Sequence, residues 1–205
     1  MTTKPIVHIV DDEAAIRDSL VMLLESAGHA ARAHVDAVSF LGAIDPHQPG
    51  CVVADVRMPG MSGLELQKHL RNDRIDLPVI IITGHGDVAM AVSALKEGAA
   101  DFIEKPFDED VLLKAVDAAL DKGARVFRER QELADIESRV AELTPREREV
   151  MDLVVQGLPN KAVAAELDIS VRTVEIHRAR VMEKMEAKSL SELVRMALRL
   201  EEGSA

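Results

Sequence analysis

The feature that most constrains the fold is a short apolar run ending in an acid, Cys51-Val52-Val53-Ala54-Asp55. Turn signals bound it on both sides, Pro49-Gly50 before it and Met58-Pro59-Gly60 after it, as is typical of a short buried strand. A carboxylate at the end of a buried parallel strand lies at the edge of an open α/β sheet where such folds bind ligands. The run therefore predicts a parallel sheet with Asp55 at its functional edge.

Three other strand-like runs also end in polar residues. Residues 6–10 precede Asp11-Asp12-Glu13, residues 79–82 precede Thr83-Gly84, and residues 101–104 precede Lys105-Pro106. In a parallel sheet these carboxylates, the hydroxyl and the ammonium group converge at one end. Carboxylates held close together repel one another and favour a bound cation, and oxygen ligands without a Cys or His cluster fit magnesium best.

Strand and helix patterns alternate as far as about residue 122. Helical spacing of apolar residues recurs over 16–24, 38–44, 64–70, 88–95 and 111–120, and residues 30–34 fit another strand. Five strands alternating with five helices predict an α/β fold with a five-stranded, doubly wound parallel sheet. From residue 143 only helices are predicted, over 145–156, 161–167, 171–185 and 190–200, so we expect a second, all-α domain of four helices.

The segment 124–143 joins the two patterns and is highly charged. Apolar residues follow a heptad-like spacing in it, at Val126, Leu133, Ile136, Val140 and Leu143. This spacing fits either one amphipathic linker helix or a short interchain coiled coil. We therefore predict a first domain over 1–122, a helical linker over 123–142 and a second domain over 143–205.

Composition limits the environment of the chain. It is 47% hydrophobic and 30% charged, which is ordinary for a soluble globular protein. A single cysteine, Cys51, excludes an intrachain disulfide framework and fits a reducing compartment, where we expect it to be an inert packing residue. Neither a signal-like segment nor an apolar run of roughly 18 residues is present, so we expect a cytoplasmic protein without a membrane partner.

The second domain carries a signature of DNA binding. Thr144 with Glu147 predicts a capping box, Asn160 is placed to cap a second helix, and residues 168–170 form a short turn into a third helix. Two helices joined by such a turn predict a helix-turn-helix that aims the helix beginning at Val171 into a major groove. The net charge of the chain is −11, but residues 172–188 hold five basic and three acidic side chains, so this element is locally basic.

These motifs resemble a known two-domain family. Asp11-Asp12, the segment 55–65, the segment 83–87 and Lys105-Pro106-Phe107 resemble a response-regulator receiver domain, which has a flavodoxin-like fold. The segments 143–147, 160–161 and 172–177 resemble the LuxR-type helix-turn-helix domain. The sequence is also similar to those of bacterial activators of nitrogen-fixation genes, which work with an oxygen-sensing haem kinase. This similarity implies that the protein activates such genes in response to low oxygen.

The resemblance assigns roles in the receiver. It implies that Asp55 accepts a phosphoryl group from a sensor histidine kinase, with Lys105 and Thr83 contacting the phosphoryl oxygens. It further implies a magnesium site formed by Asp11, Asp12, Asp55 and the carbonyl of Arg57. Thr83 and Phe102 are the implied switch residues, and Val92 and Lys96 lie on the implied homodimer surface. The resemblance also implies a cis bond before Pro106.

The resemblance also implies promoter DNA and RNA polymerase as partners. On or beside the recognition helix the expected DNA-binding residues are Lys161, Arg172, Thr173, Glu175, Ile176, His177, Arg178, Ala179 and Lys184. Lys161, His177 and Lys184 are better placed for phosphates or edges than for bases. A module this small and weakly basic should act as a dimer on two half-sites.

Two enzyme alternatives deserve comparison. Residues 84–89 match a dinucleotide-binding fingerprint, and Glu104 follows at the spacing of a ribose-binding acid, but a dehydrogenase leaves the acid pair and Asp55 unexplained. A magnesium phosphohydrolase with Asp55 as nucleophile shares the chemistry but gives the second domain no task. His85 is expected to be a loop residue that shapes access to the site.

Overall fold

The structure is a computed structural model that describes residues 4–84 and 88–203. The prediction made for His85 lies outside the described residues. The chain divides into two compact units, Met1–Arg128 and Glu129–Ala205. Among the described helices, none combines the length and the apolar character needed to cross a bilayer.

The first unit alternates strands and helices, as the sequence predicts. Its strands are β1 (Ile6–Val10), β2 (Ala30–His34), β3 (Gly50–Asp55), β4 (Val79–Thr83) and β5 (Asp101–Glu104), and its helices are α1 (Ala14–Ser26), α2 (Ala37–Leu41), α3 (Gly63–Asn72), α4 (Val88–Lys96) and the first part of α5 (Glu109–Ala141). The strands form one parallel sheet in the order β2-β1-β3-β4-β5. This is the doubly wound, flavodoxin-like order, in which ligands bind beyond the carboxyl ends of the strands.

Alternate residues of the strands build two core layers. Cys51 and Val53 face one layer, which is covered by apolar residues of α1 and α5 such as Leu24 and Leu112. Val52 and Ala54 face the other layer, which is covered by α2, α3 and α4. Because β3 is buried on both faces, its sequence is a continuous apolar run rather than an alternating one. Burial raises the pKa of the Cys51 thiol to about 12, so this cysteine is an inert packing residue.

Helix α5 differs from the prediction. The sequence predicts a helix over 111–120 and a separate linker helix from residue 124, whereas α5 is continuous over 33 residues. Gly123 is the first residue of the predicted linker, but it is buried inside the continuous helix, and a Cβ there would lie 2.6 Å from the carbonyl oxygen of Gly50. Glycine is present at this point because the α5 backbone passes against the start of β3, not because the helix ends.

The described residues of the second unit form helices joined by turns, without a strand. It contains the last part of α5, then α6 (Pro145–Val155), α7 (Asn160–Glu166), α8 (Val171–Lys184) and α9 (Leu190–Gly203). One core joins these helices through residues that include Ile136, Val150, Val163, Val174 and Leu193. Three of the five heptad-like positions, Ile136, Val140 and Leu143, pack into this intrachain core, which favours the linker-helix interpretation over an interchain coiled coil.

Candidate phosphoacceptor site and DNA-binding surface

The sheet register brings the polar strand ends to one edge. Val10 pairs with Ala54, Asp55 with Ile82, and Thr83 with Glu104, so β1, β3, β4 and β5 end side by side. The bond between Lys105 and Pro106, directly after β5, is cis, as the family resemblance implies. The edge therefore collects groups that are far apart in the sequence.

Lys105 joins two of the predicted acids. Its Nζ atom lies 2.7 Å from Oδ1 of Asp55 and 3.1 Å from Oδ2 of Asp11, a residue that is only 3% exposed. Burial by itself would lower the pKa of Lys105, but the hydrogen bonds and charges of Asp55 and Asp11 together outweigh that effect and raise it. The ammonium group is therefore charged at neutral pH and offsets the repulsion between the two carboxylates.

Backbone amides hold the remaining carboxylate oxygens. The N–H of Glu13 donates to Oδ1 of Asp11 at 2.8 Å, and the N–H of Arg57 donates to Oδ2 of Asp55 at 2.6 Å. With the two Lys105 contacts, every carboxylate oxygen of Asp11 and Asp55 accepts a hydrogen bond. Both side chains are thus held in defined orientations.

Helix α3 begins directly against the backbone of Asp55. A capping box between Ser62 and Glu65 starts the helix, and the N–H of Gly63 donates to the carbonyl of Val56 at 3.2 Å. A Cβ on Gly63 would lie 2.4 Å from the carbonyl oxygen of Asp55, so only glycine permits this approach. Gly63 lies within the segment 55–65 that resembles a receiver domain, but no role was predicted for it.

The carboxylates at this edge suit a magnesium ion that is bound by few protein ligands. Asp11 and Asp55 lie together, whereas Asp12 is exposed, and the described residues contain no group of three or more His, Cys, Asp or Glu side chains arranged around a metal position. Magnesium usually binds one or two carboxylates and keeps several waters, so it does not need such a cage. The Lys105 ammonium already lies between these two carboxylates, which is consistent with binding of a cation there.

The predicted switch residues lie in β4 and β5, and the predicted dimer residues lie in α4. Thr83 is fully buried at the end of β4, and its carbonyl accepts from the N–H of Lys105 at 2.7 Å. Phe102 is half-buried in β5 and packs against the core layer that α4 also covers. Val92 and Lys96 are exposed on α4.

In the second unit, α8 has one buried and one exposed face. Ser170 caps the helix by accepting from the N–H of Thr173 at 3.1 Å, and Val174 and Val181 are buried in the core. The opposite face exposes most of the residues predicted to contact bases, namely Arg172, Glu175, Ile176 and Ala179. Arg180 is also exposed beside this face, although it was not among the predicted residues.

Arg178 is tied to the neighbouring helix. It is half-buried, and its Nη1 atom donates to Oδ1 of Asn160 at 2.9 Å. The prediction that Asn160 caps α7 was wrong, because the helix begins at Asn160 itself, Pro159 occupies the cap position, and no side chain caps the helix. The Asn160 side chain instead links α7 to α8.

Lys184 makes contacts inside the domain. Its Nζ atom lies 2.6 Å from Oε2 of Glu147 and 3.0 Å from the carbonyl of Glu142. The hydrogen bond from Lys184, followed by that from the N–H of Thr144, lowers the pKa of the Glu147 carboxyl to about 2. These contacts favour a structural role for Lys184 over the predicted phosphate contact. Of the other predicted residues, Lys161 is exposed and His177 is half-buried.

The parallel sheet with its acid edge and the helix-turn-helix unit together define a response regulator that binds DNA. The chain belongs to this family: the response regulator receiver domain matches residues 7–117, and the domain of bacterial regulatory proteins of the luxR family matches residues 141–197. The first match includes residues 84–89, which leaves the dinucleotide-binding alternative without support.

Individual relatives are similar over nearly the whole chain. The transcriptional regulatory protein FixJ of Bradyrhizobium diazoefficiens is 50% identical over 97% of each chain, and FixJ of Rhizobium meliloti is 50% identical over 94% of each. Nodulation protein W of B. diazoefficiens is 44% identical over 96% of this chain and 86% of its own. Among solved structures, the response regulator StyR covers 96% of this chain and 100% of its own at a TM-score of 0.87 with 41% identity. Full-length FixJ from B. japonicum covers 98% and 99% at 0.56 with 48% identity.

Proposed function

We propose that this response regulator is a transcription activator switched on by phosphorylation of Asp55. The contact of Lys105 with both Asp55 and Asp11 is the observation that carries the proposal, because it joins a nucleophile, a metal-binding acid and a cation from three strand ends. A carboxylate oxygen of Asp55 attacks the phosphorus of a kinase phosphohistidine. The bond from phosphorus to nitrogen breaks, the imidazole leaves, and an aspartyl phosphate forms.

The neighbouring residues bind and orient the phosphoryl group. Bound magnesium would supply positive charge that offsets the charge developing on the transferring oxygens. Asp11, Asp12, Asp55 and the carbonyl of Arg57 would hold it. Lys105 provides a further positive charge, and Thr83 a hydrogen bond, to the phosphoryl oxygens.

A candidate docking surface for the kinase lies beside the phosphoacceptor site of this protein. A groove of about 700 Å³ runs between α1 and the segment after β5, and its lining includes Ile16, Met22, Pro106 and Phe107. Met22 is 74% exposed although it is apolar, and Lys105 lines the same groove. A donor protein bound here would bring its phosphohistidine to the strand-end edge. Met22→Glu should slow transfer from the kinase and leave labelling by acetyl phosphate unchanged.

Phosphorylation must then be coupled to DNA binding. We propose that Thr83 and Phe102 respond to the phosphoryl group and alter the α4 surface that carries Val92 and Lys96, through which the receiver dimerises. Swinging such an equilibrium from about 1% to 99% active requires about 5.5 kcal/mol of differential stabilisation. Dimer formation supplies part of this because two DNA-binding units then act on adjacent half-sites.

In the dimer, the exposed face of α8 is proposed to contact bases. Glu175 is informative, because a carboxylate is a poor phosphate ligand but can accept a hydrogen bond from cytosine N4. The proposed organisation is a receiver over 1–122, a helical linker over 123–142 and a DNA-binding domain over 143–205, with RNA polymerase as a further partner in the cytoplasm. The family resemblance implies that the target genes serve nitrogen fixation under low oxygen.

The test combines DNA binding with sedimentation of one preparation. DNA fragments selected from a random pool are titrated with wild-type protein and with Asp55→Asn, each with and without acetyl phosphate and magnesium. We expect a dimer and tighter binding only when Asp55 and the phosphodonor are both present. Equal binding in all four samples would leave the helix-turn-helix assignment standing but refute phosphorylation control. Labelling that persists in Asp55→Asn would refute the site assignment.

The same samples address the phosphohydrolase alternative. The family's role is transcriptional regulation, which favours a stoichiometric aspartyl phosphate over turnover. A hydrolase would release phosphate from external esters through many cycles. A regulator instead consumes about one equivalent of donor per lifetime of its phosphoaspartate.

A further inference from the structure

Asp11 is held by hydrogen bonds from three residues, and only one of the three, Lys105, has a predicted role at the site. Its carboxylate accepts from Glu13 and Lys105, while its carbonyl oxygen accepts from Nη1 of Arg17 at 2.7 Å. Arg17 is half-buried on α1, so its guanidinium reaches back along the helix to the end of β1. The Arg17 guanidinium group therefore bonds directly to the backbone of Asp11, a proposed metal ligand.

The turn between β1 and α1 has no side-chain hydrogen bond that caps the start of the helix. Glu13 occupies the cap position of α1, but its side chain makes no cap hydrogen bond. The carbonyl of Asp11 belongs to the peptide unit that joins Asp11 to Asp12, so its direction sets how both carboxylates leave the backbone. A planar guanidinium loses little freedom per hydrogen bond formed, which suits it to fixing that peptide.

We propose that Arg17 is a positioning residue for the acid site, orienting Asp11 and Asp12 for magnesium and, through it, for phosphoryl transfer to Asp55. This inference rests on the function proposed above. Groups that orient metal ligands typically change metal affinity or activity by about 10- to 100-fold when removed. The sequence signal is a basic residue within the first two turns of the helix that follows the acid pair.

A purely electrostatic role makes the opposite prediction for metal affinity. Removing a positive charge beside carboxylates would strengthen binding of a divalent cation, because the local potential becomes more negative. Loss of positioning would weaken it, because the ligands no longer point to one place. The sign of the change in magnesium affinity therefore separates the two roles.

The experiment uses the full chain and four proteins: wild type, Arg17→Met, Arg17→Lys, and Arg32→Met as a charge control from an exposed arginine of β2. Magnesium affinity is measured by titration calorimetry, since the chain has neither Trp nor Tyr to report binding by fluorescence. The initial rate of labelling by acetyl phosphate is measured at saturating magnesium, and thermal unfolding checks the fold. Acetyl phosphate excludes any effect of Arg17 on kinase docking.

We expect Arg17→Met to weaken magnesium binding and slow labelling by about tenfold each, Arg17→Lys to restore most of both, and Arg32→Met to change neither. Unchanged or tighter magnesium binding in Arg17→Met would overturn the inference. So would a loss that Arg17→Lys fails to restore while its unfolding temperature falls equally, because that pattern indicates a general structural role. If wild type itself is not labelled at Asp55, the proposed function fails, and the magnesium titration still decides the role of Arg17.

Discussion

The Lys184 ammonium lies 2.6 Å from the Glu147 carboxylate and so joins the last turn of α8 to the first turn of α6. Glu147 is 2% exposed and also accepts from the N–H of Thr144 at 2.9 Å, which completes the capping box of α6. One buried carboxylate thus serves as a helix cap and as the partner of a cation from α8. The orientation of α8 depends on this contact as well as on its apolar face.

Replacing the carboxylate should therefore destabilise the second unit. Glu147→Gln keeps the acceptor for Thr144 but leaves Lys184 without its counter-charge, so we expect a loss of about 2 kcal/mol in the free energy of unfolding. Urea unfolding followed by the amide NMR signals of Val150 and Val181 measures this unit alone. Glu149→Gln, at the exposed end of an ion pair with Arg146, should cost about 0.5 kcal/mol or less. Equal costs in both variants would contradict the buried role of Glu147.

The same ion pair predicts a pH dependence. The pKa of Glu147 is lowered to about 2 in the folded state, from an ordinary value near 4.5. Its contribution to stability is therefore fully present above about pH 4.5 and is lost as the pH falls toward 2. The stability difference between wild type and Glu147→Gln should shrink over that interval in the same urea experiment. A difference that stays constant from pH 7 to pH 3 would show that the charge of Glu147 is not responsible.

Replacing Gly123 with alanine should change stability in the direction opposite to that expected from helix propensity. Inside an unconstrained helix, replacing glycine with alanine stabilises by about 1 kcal/mol. A Cβ at Gly123 would lie 2.6 Å from the Gly50 carbonyl, so we expect Gly123→Ala to destabilise the first unit by about 1–3 kcal/mol. Ala118→Gly, at an exposed site of the same helix, calibrates the propensity effect. Stabilisation by Gly123→Ala would mean that α5 does not pass so close to β3.

Arg178 should act on DNA binding through Asn160. If Arg178 orients α8 by bonding Asn160, then Arg178→Ala and Asn160→Ala should weaken DNA binding non-additively and leave its salt dependence unchanged. Lys161→Ala, at an exposed residue predicted to contact a phosphate, should instead reduce the slope of log affinity against log salt by about 1. A reduced slope in Arg178→Ala would place its guanidinium on the phosphate backbone.

A buried histidine pair should make the first unit sensitive to acid. Nδ1 of His8 lies 3.1 Å from Nε2 of His34, and Phe40 packs against both rings. Burial, then His34 and then Arg32 lower the pKa of His8 to about 4. The unfolded chain binds the proton first, so stability should fall as the pH drops from about 6.5 toward 4. Amide exchange in β1 should show this loss, with a weaker dependence in His8→Gln.

Local sequence patterns determined the architecture of both units. Continuous apolar runs such as Cys51–Ala54 specify buried strands, and a strand that ends in Asp55 specifies an acid at the carboxyl edge of a parallel sheet. The caps at Ser62, Thr144 and Ser170 lie within three residues of the groups they bond, so they too can be found from sequence.

Contacts between distant residues were decided only by tertiary structure. The local pattern around Gly123 does not show its approach to Gly50, and Lys184 was predicted to contact a DNA phosphate rather than Glu147. The physical reason is that periodicity and capping depend on neighbours a few residues away, whereas close backbone approach and charge pairing depend on which elements the packed core brings together.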